Sequence, residues 1–228
     1  MATDKSSRSA VTPPRRQGQA ATVPSAKRPH TSRQLRPDQL TIVPANEAAW
    51  ADLRALFGSR GDPARCWCQR FRMGPGESWA SEGPGELAAR LREQTACGRP
   101  NATATSGLVA FCDGEPVGWC AVAPRPVHLR MLRNNRVPWD GRNEDKSDST
   151  VWAVTCFLTR AGYGHRGISH ALAEAAVDFA RARGARAIEG YPDLVEGGHV
   201  GTRDTFARAG FVEVHRPTTR KVVMRLDL

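Results

Sequence analysis

Residues 151–172 read VWAVTCFLTRAGYGHRGISHAL: an apolar run, a glycine-rich turn and the beginning of an amphipathic segment. The run from Val151 to Leu158 is almost unbroken and rich in β-branched and aromatic residues, which predicts a buried central strand. Ile168, Leu172 and Phe179 then recur at helical spacing, so a helix with one apolar face should follow the turn. A strand, a glycine-rich turn and a helix start together favour anion binding, because the first amides of a helix have no partner within it.

The turn itself points to a pyrophosphate as its ligand. Glycines let the backbone approach a phosphate without a Cβ clash, and His165 and Arg166 add positive charge. The Gly-Lys-Ser/Thr of a Walker loop is absent. Gly162, Gly164 and Gly167 do match the dinucleotide-binding spacing, but no βα repeats follow to build that sheet. A tight turn without any ligand is the remaining alternative.

The rest of the chain predicts a mixed α/β (α+β) domain. Upstream, the pattern indicates a strand at 40–43, a helix that Asn46 caps, a second helix over Glu86–Cys97 and a hairpin about Asp113-Gly114. Downstream, it indicates a strand at 187–189, a short helix at 202–209 and a closing strand pair at 211–214 and 222–226. We therefore expect one central sheet in a single domain.

The charge of the chain is concentrated at its N-terminus. The 228 residues carry a net charge of +10, and residues 1–38 hold eight lysines and arginines against two aspartates, which is +6 of that total. This segment is rich in Ser, Thr and Pro and has no helical or strand periodicity, so we predict a disordered basic tail at 1–38 and a folded domain at 39–228. The tail lacks the aromatic residues of single-strand binders, so we expect no nucleic-acid partner.

Compartment and redox state follow from what the sequence lacks. There is no apolar run of eighteen residues and no apolar segment of the signal-peptide kind, so we expect a cytoplasmic protein with no membrane partner and reduced cysteines. Cys66-x-Cys68 has no second ligand pair, so no metal site is expected. Cys156, on the central strand, is a candidate nucleophile if a histidine lies nearby, with core packing as the alternative.

Three segments carry a resemblance to the GNAT (GCN5-related N-acetyltransferase) superfamily. Tyr163–Leu172 resembles its acyl-CoA loop, Arg/Gln-x-x-Gly-x-Gly/Ala, with Gly164 at the Arg/Gln position and Ser169 at the last small position. Ala187–Glu189 is similar to the strand that diverges from the central one, and Phe206–Phe211 to the closing helix and strand entry. An uncharacterised bacterial branch is also similar in its Cys66-Trp67-Cys68, Val117-Gly118-Trp119-Cys120 and Glu189-Gly190-Tyr191-Pro192 segments.

The resemblance implies a fold and an acyl donor. It implies a mostly antiparallel, twisted sheet that is splayed at the donor site and covered by helices on both faces. The donor is acetyl-CoA, whose pantetheine arm adds to the exposed edge of the central strand. The residues implied in acyl-CoA binding are Phe157, Leu158, Thr159, Gly164, His165, Arg166, Gly167, Ile168 and Ser169.

The resemblance also implies an activity: transfer of an acetyl group to a primary amine of a small molecule, such as an aminoglycoside-like antibiotic, by direct attack in a ternary complex. A protein N-terminus or lysine, and a non-catalytic acyl-CoA-binding regulator, remain alternatives, and a homodimer remains open. Glu189 is the candidate base. The family's acidic tyrosine corresponds to Phe206 here, so Tyr191 is the candidate acid, with Thr205 or solvent as alternatives.

Overall fold

Seven strands and six helices build the domain in the computed structural model, which describes Met1 and residues 35–36, 39–133, 139–194 and 199–228. The strands are β1 (Leu40–Pro44), β2 (Leu108–Cys112), β3 (Glu115–Pro124), β4 (Val151–Thr159), β5 (Ala187–Gly190), β6 (Val212–Thr218) and β7 (Lys221–Asp227). The helices are α1 (Trp50–Phe57), α2 (Gly61–Cys66), α3 (Trp79–Thr95), α4 (Leu129–Arg133), α5 (Ile168–Arg181) and α6 (Arg203–Arg208). Most of the tail predicted to be disordered lies outside the described residues.

The strands form a single sheet in the order β1-β2-β3-β4-β5-β7-β6. Every neighbouring pair is antiparallel except β4 and β5, which run parallel. β4 and β5 can run parallel because α5 connects them: the helix returns the chain to the end of the sheet at which β4 begins, and β5 starts there. The predicted fold, a mostly antiparallel central sheet in a mixed α/β domain, is confirmed.

Helices cover both faces of this sheet, as expected. On one face α5 buries Ile168, Leu172 and Phe179 against the central strands. On the other, α1 and α3 bury Leu53 and Leu87 in a separate apolar cluster. The central strands are therefore enclosed from both sides, which explains the unbroken apolar run of β4.

The sheet opens between β4 and β5. The two strands pair only from Val151 with Ala187 to Val154 with Gly190. Just beyond, a bulge at Thr155 shifts the pairing of β4 with β3, and bulges bend and twist a strand. The ring of Phe206 fills the base of the opening: a Cβ added to Gly190 would lie 2.2 Å from it. The far half of β4 consequently has an edge that β5 does not cover.

Two predicted helix starts are wrong. Asn46 does not cap α1, because the N-cap of that helix is Ala49. The side-chain Nδ2 of Asn46 instead donates to the carbonyl of Pro100 at 3.0 Å. The helix predicted from Glu86 begins at Trp79, where the Ser78 hydroxyl accepts from the Ser81 amide. The helix is kinked at Gly83, just before Pro84, and proline interrupts helical hydrogen bonding. The spacing of apolar residues in the sequence therefore did not reveal the first turn.

The Gly/Pro-rich stretch after α1 also contains a short helix, α2, that the sequence did not predict. A further short helix, α4, follows the end of β3. None of the helices in the described part of the chain combines the length and apolar character that a membrane crossing requires.

Candidate active site

The turn between β4 and α5 has the backbone shape that its glycines predicted. Gly167 is the N-cap of α5 with φ 84° and ψ 1°, a left-handed conformation that costs an L-residue about 1–2 kcal/mol. His165 also lies in this region, at φ 59°. A non-glycine residue held there is a local strain that the surroundings must support. The turn thereby directs the first amides of α5 away from the strand and towards solvent.

These amides open onto a cavity of about 500 Å³. Its basic lining residues are His165, Arg166, His170 and Arg208, of which His170 and Arg208 contact Asp204 at 3.4 and 3.0 Å. The rest of the lining includes residues with hydroxyl groups, Thr159, Ser169, Thr202 and Thr205, and the loop residues Gly164, Gly167 and Ile168. A helix N-terminus, cations and hydroxyl donors on one concave surface are the chemistry that a pyrophosphate requires.

Gly164, at the position where the resemblance expects Arg or Gln, leaves room for such a side chain. It does not have a positive φ, and a Cβ built on it meets no heavy atom within 4 Å. The missing side chain therefore leaves open space within the anion cavity and no distortion of the turn. The residues of the loop fit an acyl-CoA pyrophosphate with one cationic contact fewer than the family pattern.

The uncovered edge of β4 offers backbone groups at alternate residues. Arg160 donates its amide to the carbonyl of Val117 on β3 at 2.9 Å, so the backbone groups of Leu158 also face β3. Those of Phe157 and Thr159 face the opening. The Phe157 amide already donates to the carbonyl of His199. Of the three β4 residues expected to contact pantetheine, only Phe157 and Thr159 direct their backbone groups into the opening. The His199 carbonyl would compete with pantetheine for the amide of Phe157.

A second cavity, of about 120 Å³, lies beside the same half of β4. Thr155, Cys156 and Leu158 form its β4 wall, opposite aromatic and thiol side chains of the α1–α3 region. Its other lining residues are Phe57, Asp62, Pro63, Cys66, Cys68, Arg70, Phe71, Trp79, His199 and Val200. Thr159 lines the first cavity and its neighbour Leu158 lines the second. The two cavities are therefore both next to the end of β4.

Two of the three thiols in this second cavity, Cys66 and Cys68, are poorly suited to nucleophilic attack. Burial, together with the neighbouring Cys68, raises the pKa of Cys66 to about 11. Burial and contact with Cys156 raise the pKa of Cys68 well above its usual range, and its Sγ accepts from the indole N–H of Trp119 at 3.1 Å. Protonated thiols are weak nucleophiles. Cys156 lines the cavity together with His199, so its role as a nucleophile stays a prediction.

Glu189 lies in neither cavity. Its carboxylate is completely buried and contacts Arg142 at 2.6 Å, Arg225 at 3.0 Å and Arg125 at 3.4 Å. Burial opposes ionisation, but the hydrogen bonds and charges of Arg142, Tyr191 and Arg125 outweigh it, so the pKa of Glu189 lies below its ordinary value. A carboxylate that neutralises several guanidinium groups is a weak proton acceptor, so the surroundings of Glu189 oppose the predicted role as base.

Tyr191 belongs to the same buried cluster. Its hydroxyl donates to Glu189 Oε2 at 2.8 Å, and burial followed by the charge of Glu189 raises its pKa well above the usual range. Phe206 is also fully buried, with its ring 5.7 Å from that of Phe157 and 5.2 Å from that of Phe211. Of the alternatives considered for the acid, Thr205 has its side chain in the lining of the first cavity.

The structure also identifies site residues that the sequence did not. Thr202, His170 and Arg208 join the anion cavity, and Arg70 and Phe71 join the second one. The sequence places His170 and Arg208 on two separate helices, but it does not predict that both line the same cavity. Arg70 and Phe71 precede a helix start that the sequence analysis did not locate, so nothing there indicated that they approach β4.

Comparison with known proteins agrees with this geometry. The sequence matches the model of the acetyltransferase (GNAT) family over residues 65–211. This match spans most of the chain, so the protein belongs to the GNAT acetyltransferase family. Membership of an acetyltransferase family agrees with acetyl-CoA as the donor, which the resemblance implied. No curated protein matches the chain in sequence.

Solved structures show the same fold. An aminoglycoside acetyltransferase in complex with coenzyme A shares 15% identity and a TM-score of 0.50, covering 82% of this chain and 94% of its own. An N-acetyltransferase from Thermoplasma acidophilum in complex with coenzyme A shares 14% identity and a TM-score of 0.45, covering 83% of this chain and 99% of its own. At 15% identity, the likeness to the aminoglycoside acetyltransferase concerns the fold alone.

Proposed function

We propose that this acetyltransferase transfers the acetyl group of acetyl-CoA to a primary amine of a small molecule, by direct attack within a ternary complex. The observation that carries the proposal is the pair of cavities on the two sides of the uncovered half of β4. One has the chemistry for a pyrophosphate. The other has apolar and aromatic walls beside the same strand residues, as expected for a small acceptor.

Residues of the chain account for donor binding and orientation. The amides at the start of α5, with Arg166 and Arg208, hold the pyrophosphate. The amides of Phe157 and Thr159 hold the pantetheine arm along β4, which places the thioester between the two cavities. An amide directed at the thioester oxygen stabilises the negative charge that develops during attack. The neutral amine nitrogen then forms the new C–N bond, and CoA leaves as the thiolate.

The reaction also requires two proton transfers. The amine must lose a proton, and the thiolate must gain one. Glu189 and Tyr191, the residues predicted for these steps, are hydrogen-bonded to each other in the buried arginine cluster. Thr205 lies closer to the donor, since it lines the anion cavity. Water in the open cavities can also carry both protons at neutral pH.

A non-catalytic acyl-CoA-binding regulator is the second candidate function. One observation favours it: Phe206, which corresponds to the family's acidic tyrosine, is fully buried and has no proton to donate. The two functions share the donor site and differ only in turnover.

Thiol release separates the two candidates. We expect purified protein with acetyl-CoA and a panel of primary amines to release CoA faster than with acetyl-CoA alone, with the acetylated amine detected by mass spectrometry. Coenzyme A binding without turnover across small molecules, peptide N-termini and lysine peptides would favour the regulator. Absence of coenzyme A binding would contradict both.

Gly164→Arg should strengthen binding of coenzyme A by about three- to tenfold, because it supplies one charge-assisted phosphate contact at low steric cost. Calorimetric titration at two salt concentrations measures this gain, which should shrink as salt rises. Gly164→Ala is the matched control and should bind as the wild type does. Equal affinity of all three proteins would place the pyrophosphate elsewhere.

A further inference from the structure

A third cavity, of about 660 Å³, adjoins the 120 Å³ cavity proposed for the acceptor. It shares Arg70, Phe71 and Trp79 with that cavity and adds Arg130 and Met131. The two spaces therefore lie side by side along these three shared residues. We call the 120 Å³ space the inner acceptor cavity and the 660 Å³ space the outer acceptor cavity.

The outer acceptor cavity has a positive charge with no acidic counterpart. Arg70 and Arg130 are both exposed there, and no Asp or Glu lines it. Within the part of the chain that the structure describes, neither arginine pairs with a carboxylate. The Arg70 guanidinium lies 5.5 Å from the centre of the Phe71 ring, and Arg130 Nη1 reaches only the sulfur of Met73, at 3.7 Å. Guanidinium groups in this state retain their donors for an oxyanion.

One further observation supports an oxyanion in this place. The indole N–H of Trp79, a residue of the cavity lining, is buried and has no hydrogen-bond partner among the described residues. The walls between these donors are apolar, formed by Phe71 and Met131.

The inner acceptor cavity is closer to neutral, because it is lined by one carboxylate, Asp62, as well as by Arg70. Asp62 also pairs with Arg65. An amine at the β4 wall would thus lie in a cavity that contains a carboxylate, while an oxyanion further out would meet Arg70 and Arg130 in a cavity without one. This arrangement favours a molecule with an amine at one end and an oxyanion at the other.

We propose that the acceptor is such a zwitterion: a small molecule whose primary amine enters the inner acceptor cavity while its carboxylate or related oxyanion binds Arg70 and Arg130 in the outer one. This inference rests on the proposed acetyl transfer and narrows its substrate class. It disfavours a polycation such as an aminoglycoside, which would bring several ammonium groups to a surface that is already positive.

The test uses matched acceptors with one body and different ends: an amino acid, its phosphonate analogue, its carboxamide and the parent amine, in an aromatic and a linear aliphatic series, with an aminoglycoside added. We expect KM for the anionic members to be at least about tenfold lower than for the neutral ones, the range of one or two charge-assisted hydrogen bonds. The carboxylate and phosphonate arms identify which oxyanion the site prefers. Equal or better use of neutral or polycationic acceptors would overturn the proposal.

Arginine variants locate the contact. Arg70→Ala and Arg130→Ala should each raise KM for the anionic acceptor about tenfold and leave the KM values of its carboxamide and of acetyl-CoA unchanged. Arg181→Ala removes another exposed arginine, which pairs with Asp178 on α5, and serves as the matched control. If both cavity variants behave as this control does, the arginines do not hold the acceptor.

A binding measurement keeps the inference independent of turnover. If no acceptor is acetylated, the proposed function fails, and titration of the protein–CoA complex with the N-acetylated amino acid and its carboxamide decides the inference alone. Stronger binding of the acid, lost in Arg70→Ala and Arg130→Ala, supports the oxyanion site. Indistinguishable binding of the two compounds rejects it.

Discussion

Replacing Glu189 with glutamine is expected to lower the free energy of unfolding by about 3–5 kcal/mol, the cost of breaking a buried ion pair on one side. The substitution keeps the shape of the side chain and removes its charge. Arg125, which is itself completely buried, and Arg142 would lose their main counter-ion. Glu144 contacts both arginines but is partly exposed, so it compensates only in part.

The contribution of Glu189 to the free energy of unfolding should decrease as the pH falls. The pKa of Glu189 is lower in the folded than in the unfolded chain, so its contribution to stability is present above the ordinary glutamate pKa, about 4.3, and is lost as pH falls through the folded value. Urea unfolding from pH 7 downward should therefore show a steeper acid loss for the wild type than for Glu189→Gln. Tyr191→Phe, which removes one hydrogen bond to the carboxylate, should cost only about 1 kcal/mol.

The same variants distinguish a structural from a catalytic Glu189. A structural counter-ion predicts that Glu189→Gln protein which remains folded, at low temperature, keeps the pH profile of kcat. A base predicts undiminished stability together with a large fall in kcat and loss of its limb in the pH profile. The second result would reinstate Glu189 as the proton acceptor and contradict the role that its three arginine contacts indicate.

Gly167→Val has the largest expected effect on the donor. At φ 84° a β-branched side chain is strongly disfavoured, and this residue caps the helix whose amides face the anion cavity. The turn must relax towards negative φ, which redirects those amides. We expect the dissociation constant for coenzyme A to rise at least about tenfold, the factor that corresponds to about 1.4 kcal/mol of lost interaction.

Calorimetric titration measures this loss, and circular dichroism verifies that the variant is folded. Gly162→Val is the matched control. Gly162 lies in the same turn and has a similar positive φ of 90°, but it does not line the cavity. Its effect on affinity should be smaller than that of Gly167→Val. If both variants bind coenzyme A as the wild type does, the turn is not the pyrophosphate site.

The parts of the fold that sequence predicted are those in which local pattern and tertiary environment agree. β4 and α5 fall into this group, because an apolar run and a helical face are each sufficient to define their element. The start of α3 does not, since Gly83 and Pro84 interrupt the periodicity that would reveal it. Asn46 has the residue type of a cap, but tertiary contacts assign its amide to Pro100 instead.

The candidate site divides in the same way. The acyl-CoA loop is contiguous in sequence, so its glycines and cations could be interpreted together. The partners of Glu189 lie 64, 47 and 36 residues away, at Arg125, Arg142 and Arg225. No spacing rule connects arginines in a loop and on a distant strand to one carboxylate. For the same reason, the acceptor cavities, built from side chains of separate elements, became visible only in the folded chain.

A crystal structure of the protein with bound acetyl-CoA tests the central claim most directly. We expect the pyrophosphate oxygens within hydrogen-bond distance of the amides of Ile168 and Ser169. The pantetheine arm should be hydrogen-bonded to the amides of Phe157 and Thr159, with the His199 carbonyl displaced from Phe157. A pyrophosphate bound away from the start of α5, or a thioester outside the opening between β4 and β5, would contradict it.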